Sequence, residues 1–442
     1  MNKIIKLTAL CLLMISASSC KKFLDIEPVG RVIPTTAEDF RALLNSGYAG
    51  FAEHKAYLAL RTDELVLNEY AQDAPAFRDM YKWNDAAPDA ASFQYPYIDF
   101  YKSIFYTNSV IADIETRAGK TAETAQIKGE SYLLRAYNHF ELLNVYAKPF
   151  NLNTAATDRG VAIALGIDLE ANYKPATIAA VYAQIFSDIA AGQALLNVEN
   201  YPSGTNYRFT KRAAFAFLAR VHEFRGEWAE ALKASQDALA LGDQLEDLNA
   251  VTGVVLPNHY QSKESIMAME ETINSSVNGV AYVSPHLIST YDQLNDKRFA
   301  LYFSKSGSRY VGKKGASDAL KVSFRNGELY LIQAEAALQS DNLNLALSSL
   351  MALKAKRLTP AYYATEQTRI SALNKADLLK EILNEREREL ALEGHRWYDL
   401  RRYGQPTLTH ETDGQVYTLE HNDPRYTVRF PKDAIQNNPN LQ

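Results

Sequence analysis

Residues 384–404 read NERERELALEGHRWYDLRRYG, and the reading of this stretch decides the fold. Eleven of its residues carry formal charge or are His, set around Trp397 and Tyr398. Such a cluster is an acid–base site, a nucleic-acid grip or a piece of scaffold. From Asp377 to Tyr403 the period is helical, with Leu379, Ile382, Leu383, Leu390, Trp397 and Leu400 as its apolar stripe. Glu385 to Glu389 alternate in sign. Residues three apart meet on a helix, so the spacing predicts the pairs Glu385–Arg388 and Glu393–Arg396. Exposed pairs of this kind contribute about 0.3–0.5 kcal/mol each. Alternating signs leave no positive face, which argues against a phosphate grip. Gly394 interrupts the helix or lets it press on a neighbour.

Outward from this stretch, the whole chain carries a net charge of −5, whereas a nucleic-acid binder needs a concentrated positive surface. At the other end, Lys3 and Lys6 precede an apolar run from Leu7 to Ile15, which is of signal-peptide length. Small residues then lead to Cys20, and this ending resembles a bacterial lipoprotein signal. Residues 1–19 therefore read as a signal peptide, Cys20 as the lipidated residue and 20–36 as a tether. Cys11 and Cys20 are the only cysteines, so the body of the chain offers no disulfide and no thiolate site. No later run is expected to span a bilayer, and the protein is expected to be held to its membrane by lipid. There are 27 Tyr against 18 Phe and 3 Trp; a ring with a polar tip suits wet, amphipathic ligands as well as helix interfaces.

Thr36 caps a helix, and residues 65–97, with Pro75, Pro88 and Pro96, read as irregular loop. Apolar stripes return over 98–117, 125–146, 177–197 and 210–241. Ala219 and Ala231 stand twelve apart, as do Ala334 and Ala346, each pair within a helix–turn–helix pattern of tetratricopeptide type. Residues 251–320 are loop-rich. Few stretches alternate with period two. The reading is one mainly α domain over 37–442, with helix hairpins, long irregular loops and few short strands. Its halves run over about 37–250 and about 260–442.

Five stretches, in order, carry a resemblance. They are IKGESYLLRAYNHFELLNVYAKPF (127–150), RFTKRAAFAFLARVHEFRGEWAEAL (208–232), FRNGELYLIQAEAAL (324–338), ILNERERELALEGHRWYDLRRYG (382–404) and FPKDAIQNNPNLQ (430–442). Together with the lipoprotein-like start and FLDIEP, they resemble the SusD/RagB family of outer-membrane nutrient-binding lipoproteins. The resemblance implies a SusD-like helical fold and a surface-exposed, lipid-anchored protein of the outer membrane. It further implies an oligosaccharide ligand, handed to a SusC-like TonB-dependent transporter barrel. A peptide-capturing RagB-like lid is the alternative, a glycoside hydrolase a lesser one, and a bare interaction scaffold the blandest. On this reading the charged stretch is scaffold.

The sequence carries no HExxH, no Gly-rich phosphate loop and no G-x-S-x-G elbow, and its eight His are scattered. No enzyme activity, metal site or cofactor is expected, although paired carboxylates could converge in space. Sugar rings stack on flat side chains and pair their hydroxyls with polar ones. Trp83 is the one Trp in an expected loop. It and Tyr81 are the candidate stacking rings, with Asn84, Asp85 and Arg78 for hydroxyls; Tyr282 and Tyr310 are further candidates. The competing reading of Trp83 is an anchor packed on its own domain.

Overall fold

Thr36 opens the helix Ala37–Ala49 with a reciprocal cap. Its hydroxyl accepts from the Asp39 N–H at 3.2 Å, and the Asp39 carboxylate accepts from the Thr36 N–H at 3.0 Å. Thr121, Thr210 and Asn374 start later helices through side-chain acceptors in the same way. The computed structural model describes residues 33–168 and 173–442. The signal-like run, Cys20 and the tether up to residue 32 lie outside the described residues.

The protein is mainly α. Tyr97–Arg117, Ala122–Tyr146 and Ile178–Leu195 pack in sequence, each on the next. The last is long and apolar enough to cross a membrane, contrary to expectation, but Val181, Ile185 and Ile189 are buried in the core here. The two alanine pairs stand where the period placed them. Ala219 and Ala231 join Lys211–Arg225 to Trp228–Ala240, and Ala334 and Ala346 join Asn326–Gln339 to Leu343–Ala355. All four are fully buried, since only a small residue lets two helices approach there. The hairpins stack through Trp228–Ala240 against Asn326–Gln339, as in helical repeats.

Strands are short. β1 (Leu65–Leu67), β5 (Ala281–Val283), β7 (Arg309–Gly312) and β6 (Phe303–Ser306) form an antiparallel sheet in the order β1-β5-β7-β6. β2 (Arg159–Ala162) pairs β3 (Pro175–Thr177), and β4 (Ser265–Met267) pairs β8 (Phe324–Arg325). β9 (Leu408–Thr412) and β10 (Gln415–Leu419) form a hairpin across Asp413–Gly414, a turn pair that favours this geometry. The region 65–97 is thus less irregular than its prolines suggest.

The quoted stretch is not one helix. Lys375–Glu389 ends, and Arg396–Arg402 begins after a break in which Leu392 and Gly394 have φ of +61° and +77°. A Cβ on Gly394 would lie 2.7 Å from the Lys55 side chain, so the break brings backbone against a neighbour that only glycine tolerates. The charges are also not a solvated face. Glu385, Arg386 and Glu389 are buried. Glu389 meets Arg325 at 2.6 Å, Arg357 at 2.8 Å and Arg298 at 2.9 Å. Glu264 joins Arg357 at 2.6 Å and Arg325 at 3.1 Å. Glu385 binds Arg388 at 2.8 Å, as the spacing predicts. The expected Glu393–Arg396 pair does not form. Glu393 turns inward to Lys314 and Arg325, while Arg396 reaches Asp63 at 2.6 Å and Glu387 at 3.2 Å. Burial alone would raise Glu385 and Glu389, but the surrounding cations outweigh it and hold both well below the usual carboxylate range.

Beside Arg396 sits a carboxyl of opposite character. Glu64 Oε1 accepts from the Leu392 N–H at 2.9 Å, and Oε2 is buried without a protein partner. Burial pushes Glu64 up to about 8 from 4.5. The folded state therefore holds this proton more tightly than the unfolded chain, and the stability it contributes declines as pH rises from 4.5 towards about 8. His286, raised chiefly by its hydrogen bond to Glu387, acts in the same direction: its contribution is full below its unfolded value of 6.5 and is lost as pH rises through the raised value. Glu64→Gln mimics the neutral acid. Urea midpoints measured across neutral pH should fall less steeply for this variant than for its parent; parallel slopes would refute the assignment.

Candidate functional site

The early loop is bolted down from behind. Trp83 is 1 % exposed, its indole N–H donates to the Arg61 carbonyl at 3.1 Å, and its ring stacks on His410 at 4.2 Å. Tyr81 covers the other face of His410 at 4.1 Å. The His410 nitrogens lie 2.7 Å from the Tyr81 carbonyl and 2.9 Å from that of Thr62. The expectation that Trp83 and Tyr81 offer open faces to a sugar is therefore corrected: both are buried anchors. Trp83 has φ of +55°, a left-handed conformation that costs a bulky residue of order 1–3 kcal/mol and persists only under such constraint.

What this anchoring positions is one wall of a cleft of about 1440 Å³. Lys82, Trp83, Asn84 and Asp85 belong to that wall, Trp83 with its ring turned away into the core; residues 146–159 form a second, and residues from 401 to the end of the chain a third. Arg61 ties the walls together. It is fully buried, donates to Asp85 Oδ1 at 2.8 Å and to the Arg425 carbonyl at 2.6 Å, and lies 5.0 Å over the Trp397 ring. Three lining rings carry cations: Lys82 stands 5.3 Å from Tyr417, Arg159 5.3 Å from Phe430 and Arg225 4.2 Å from Phe150. Tyr417 and Phe430 are half-buried, and Asn151 and Asn422 are exposed on the lining. Four atoms of the lining residues, Asp85 Oδ2, Tyr146 Oη, Arg401 Nε and Arg402 Nε, are buried without a protein partner. Apolar rings beside hydrogen-bonding groups that have capacity left suit a ligand with C–H faces and hydroxyls.

The cleft's other carboxylates are not poised as acids. Thr154 and Lys148 hold Asp158 below its usual value, and Arg425 does the same to Asp423. A glycosidase general acid needs the opposite shift. Among the described residues two groups have metal-ligand types close together, and each already holds a side-chain cation. In His54/Glu141/Glu270 the Lys55 ammonium lies 2.9 Å from Glu270. In Asp63/His286/Glu387 the Arg396 guanidinium lies 2.6 Å from Asp63.

The remaining sequence candidates stand elsewhere. Asn84 lines the cleft, but its amide N–H groups go to Asp79 at 2.8 Å and the Ala87 carbonyl at 3.0 Å. Arg78 pairs with Asp413 at 3.2 Å and does not line the cleft. Tyr282 and Tyr310 belong to the four-stranded sheet. Val283, not Tyr282, is paired with Tyr310, so the two tyrosines point to opposite faces; Tyr282 lies under Arg309, and Tyr310 packs on Phe299. Sequence reasoning missed Tyr417, Phe430 and Lys82. The Asp413–Gly414 turn between alternating residues was the signal for the hairpin that carries Tyr417.

Stacked helix hairpins whose long loops converge on a ring-lined cleft define a mainly α protein with a candidate binding site. Residues 22–222 match the family described as starch-binding and associating with the outer membrane, and residues 289–441 match the SusD family. The chain belongs to the SusD/RagB family. It is 24% identical, over 90% of its length and 91% of the relative's, to SusD-like protein P38 of Formosa agariphila. A SusD superfamily protein of Bacteroides thetaiotaomicron shares the fold with a TM-score of 0.76 at 22% identity, covering 92% of this chain and 98% of that one. A SusD-like carbohydrate-binding protein of Bacteroides vulgatus has a TM-score of 0.70 at 19% identity, with 92% and 98% covered. A laminarin-binding SusD-like protein has a TM-score of 0.64 at 17%, again with 92% and 98% covered.

Proposed function

We propose that this protein captures oligosaccharides in the 1440 Å³ cleft and passes them to a partner TonB-dependent transporter, without breaking bonds itself. The observation that carries this reading is the pairing, in one cleft, of the Tyr417 and Phe430 rings with the unpartnered Asp85 Oδ2 and Tyr146 Oη. The rings supply faces for sugar C–H groups, and the oxygens accept or donate to hydroxyls. The carbohydrate-binding and laminarin-binding descriptions of relatives with this fold support a glycan over a peptide. Acylation at Cys20 and display on the outer face of the membrane belong to the same proposal, supported by the lipoprotein-like start and by the family's association with the outer membrane.

Tyr417 tests the site, because its hairpin is peripheral and its ring half-buried. In titrations of the soluble protein against a panel including laminari-oligosaccharides, Tyr417→Ala should weaken the best ligand about tenfold, the loss of about 1.4 kcal/mol of ring contact. The thermal midpoint should barely move. Binding equal to the parent's would remove Tyr417 from the site; no affinity across a broad panel would end the glycan reading.

A further inference from the structure

A second cavity of about 490 Å³, within the range of small-molecule sites, lies behind the cleft. Its floor is the outer stripe of the helix Tyr97–Arg117: Tyr97, Ile98, Tyr101 and Phe105 recur at helical spacing on one side. Ala164 lines it from the segment after β2, and residues 431–441 close it from the C-terminal side. Leu441 borders both cavities, and Tyr97 meets the cleft's Phe430 edge-on at 5.5 Å, so one layer of side chains parts them.

The two cavities differ in chemistry. In the second, several polar groups are consumed by the protein, while the Tyr95 hydroxyl is buried without a protein partner. Asn108 donates to the Ala164 and Gly166 carbonyls at 3.2 and 2.9 Å and accepts from Arg135 at 2.9 Å. The Tyr101 hydroxyl donates to the Ala162 carbonyl at 3.0 Å, and Asn438 donates to the Tyr173 carbonyl at 2.7 Å. A sugar entering here would give up hydration for few new hydrogen bonds, which is costly. Among the described residues no Lys or Arg lines the cavity, and the acidic residues that do, Asp168 and Asp433, are exposed. Ile98, also on the lining, is 63% exposed, so a substitution there reaches the cavity with little cost to the core.

We propose that this cavity is a second binding site, for a neutral aromatic group, free or carried on a larger ligand. An aryl ring stacks edge-on or offset against Tyr97, Tyr101 and Phe105 and requires no hydrogen bond. The inference does not depend on glycan binding in the cleft. The probe is the neutral dye N-phenylnaphthylamine, whose fluorescence rises in an apolar site, titrated into the soluble protein. The expected result is saturable one-to-one binding, weakened about tenfold by Phe105→Ala and at least as much by Ile98→Asp, which puts a carboxylate at the mouth. Ile98 is exposed, so its variant folds even if Phe105→Ala does not. Glycan affinity of Ile98→Asp should equal the parent's, which separates failure of this site from failure of the cleft. Absence of saturable dye binding, or equal dye binding by parent and Ile98→Asp, would overturn the proposal.

Discussion

Glu389→Gln should bring the protein close to unfolding at ordinary temperature. The substitution keeps shape and removes one charge from a fully buried carboxylate that receives Arg298, Arg325 and Arg357. Those guanidiniums would then share Asp296, Glu264, Glu385 and Glu393, which already serve them and Lys314 and Lys354. The local balance shifts by one uncompensated positive charge among buried side chains, where bulk solvent screens little. Breaking a buried pair costs about 3–5 kcal/mol, a large part of the roughly 5–15 kcal/mol that holds a folded domain. The control is Lys233→Ala, whose partner Asp237 lies one turn away on a solvent-facing helix; that pair contributes under about 1 kcal/mol. Urea midpoints should therefore separate the two variants widely. A Glu389→Gln midpoint near the parent's would mean that the charges are not a mutually dependent network.

The contrast between these two pairs explains what the sequence discloses. Glu385–Arg388 and Lys233–Asp237 are both readable as neighbours on a helix, and both form. Nothing in the local text says that the first is buried and the second wet, because the partners that bury Glu389 come from positions 298, 325 and 357, on other elements. Alternating charges look alike on a solvated face and in a packed network. Caps and small-residue pairs were legible for the opposite reason. Thr36 with Asp39, and Ala219 with Ala231, act within one helix or one hairpin, where spacing fixes geometry. In the site, the sequence located the loop around Trp83, and Trp83, Asn84 and Asp85 all belong to the cleft wall. It did not reveal which way the indole faces, since the ring that claims it, His410, follows 329 residues after Tyr81. Tyr417 and Phe430 were missed because the cleft is completed by the far end of the chain.

Trp83 now supports a prediction of a different kind from the one its position in a loop suggests. Trp83→Ala should destabilise by about 3–5 kcal/mol, the usual cost of emptying a buried aromatic site. It also leaves the Arg61 carbonyl without its indole donor and one face of His410 uncovered. The backbone sharpens the test. At φ of +55° an alanine still suffers the Cβ clash of the left-handed region, roughly 1–2 kcal/mol, and glycine does not. Trp83→Gly should therefore melt above Trp83→Ala, the reverse of the order found at ordinary buried positions. An alanine variant more stable than the glycine variant would show that the backbone relaxes out of this conformation once the ring is gone. Asn84 and Asp85 follow Trp83 directly, so both variants should also loosen the cleft wall and weaken glycan binding, in step with the lost stability. Tyr417→Ala should weaken it with the melting temperature nearly intact. That divergence separates an anchor that shapes the site from a ring that touches the ligand.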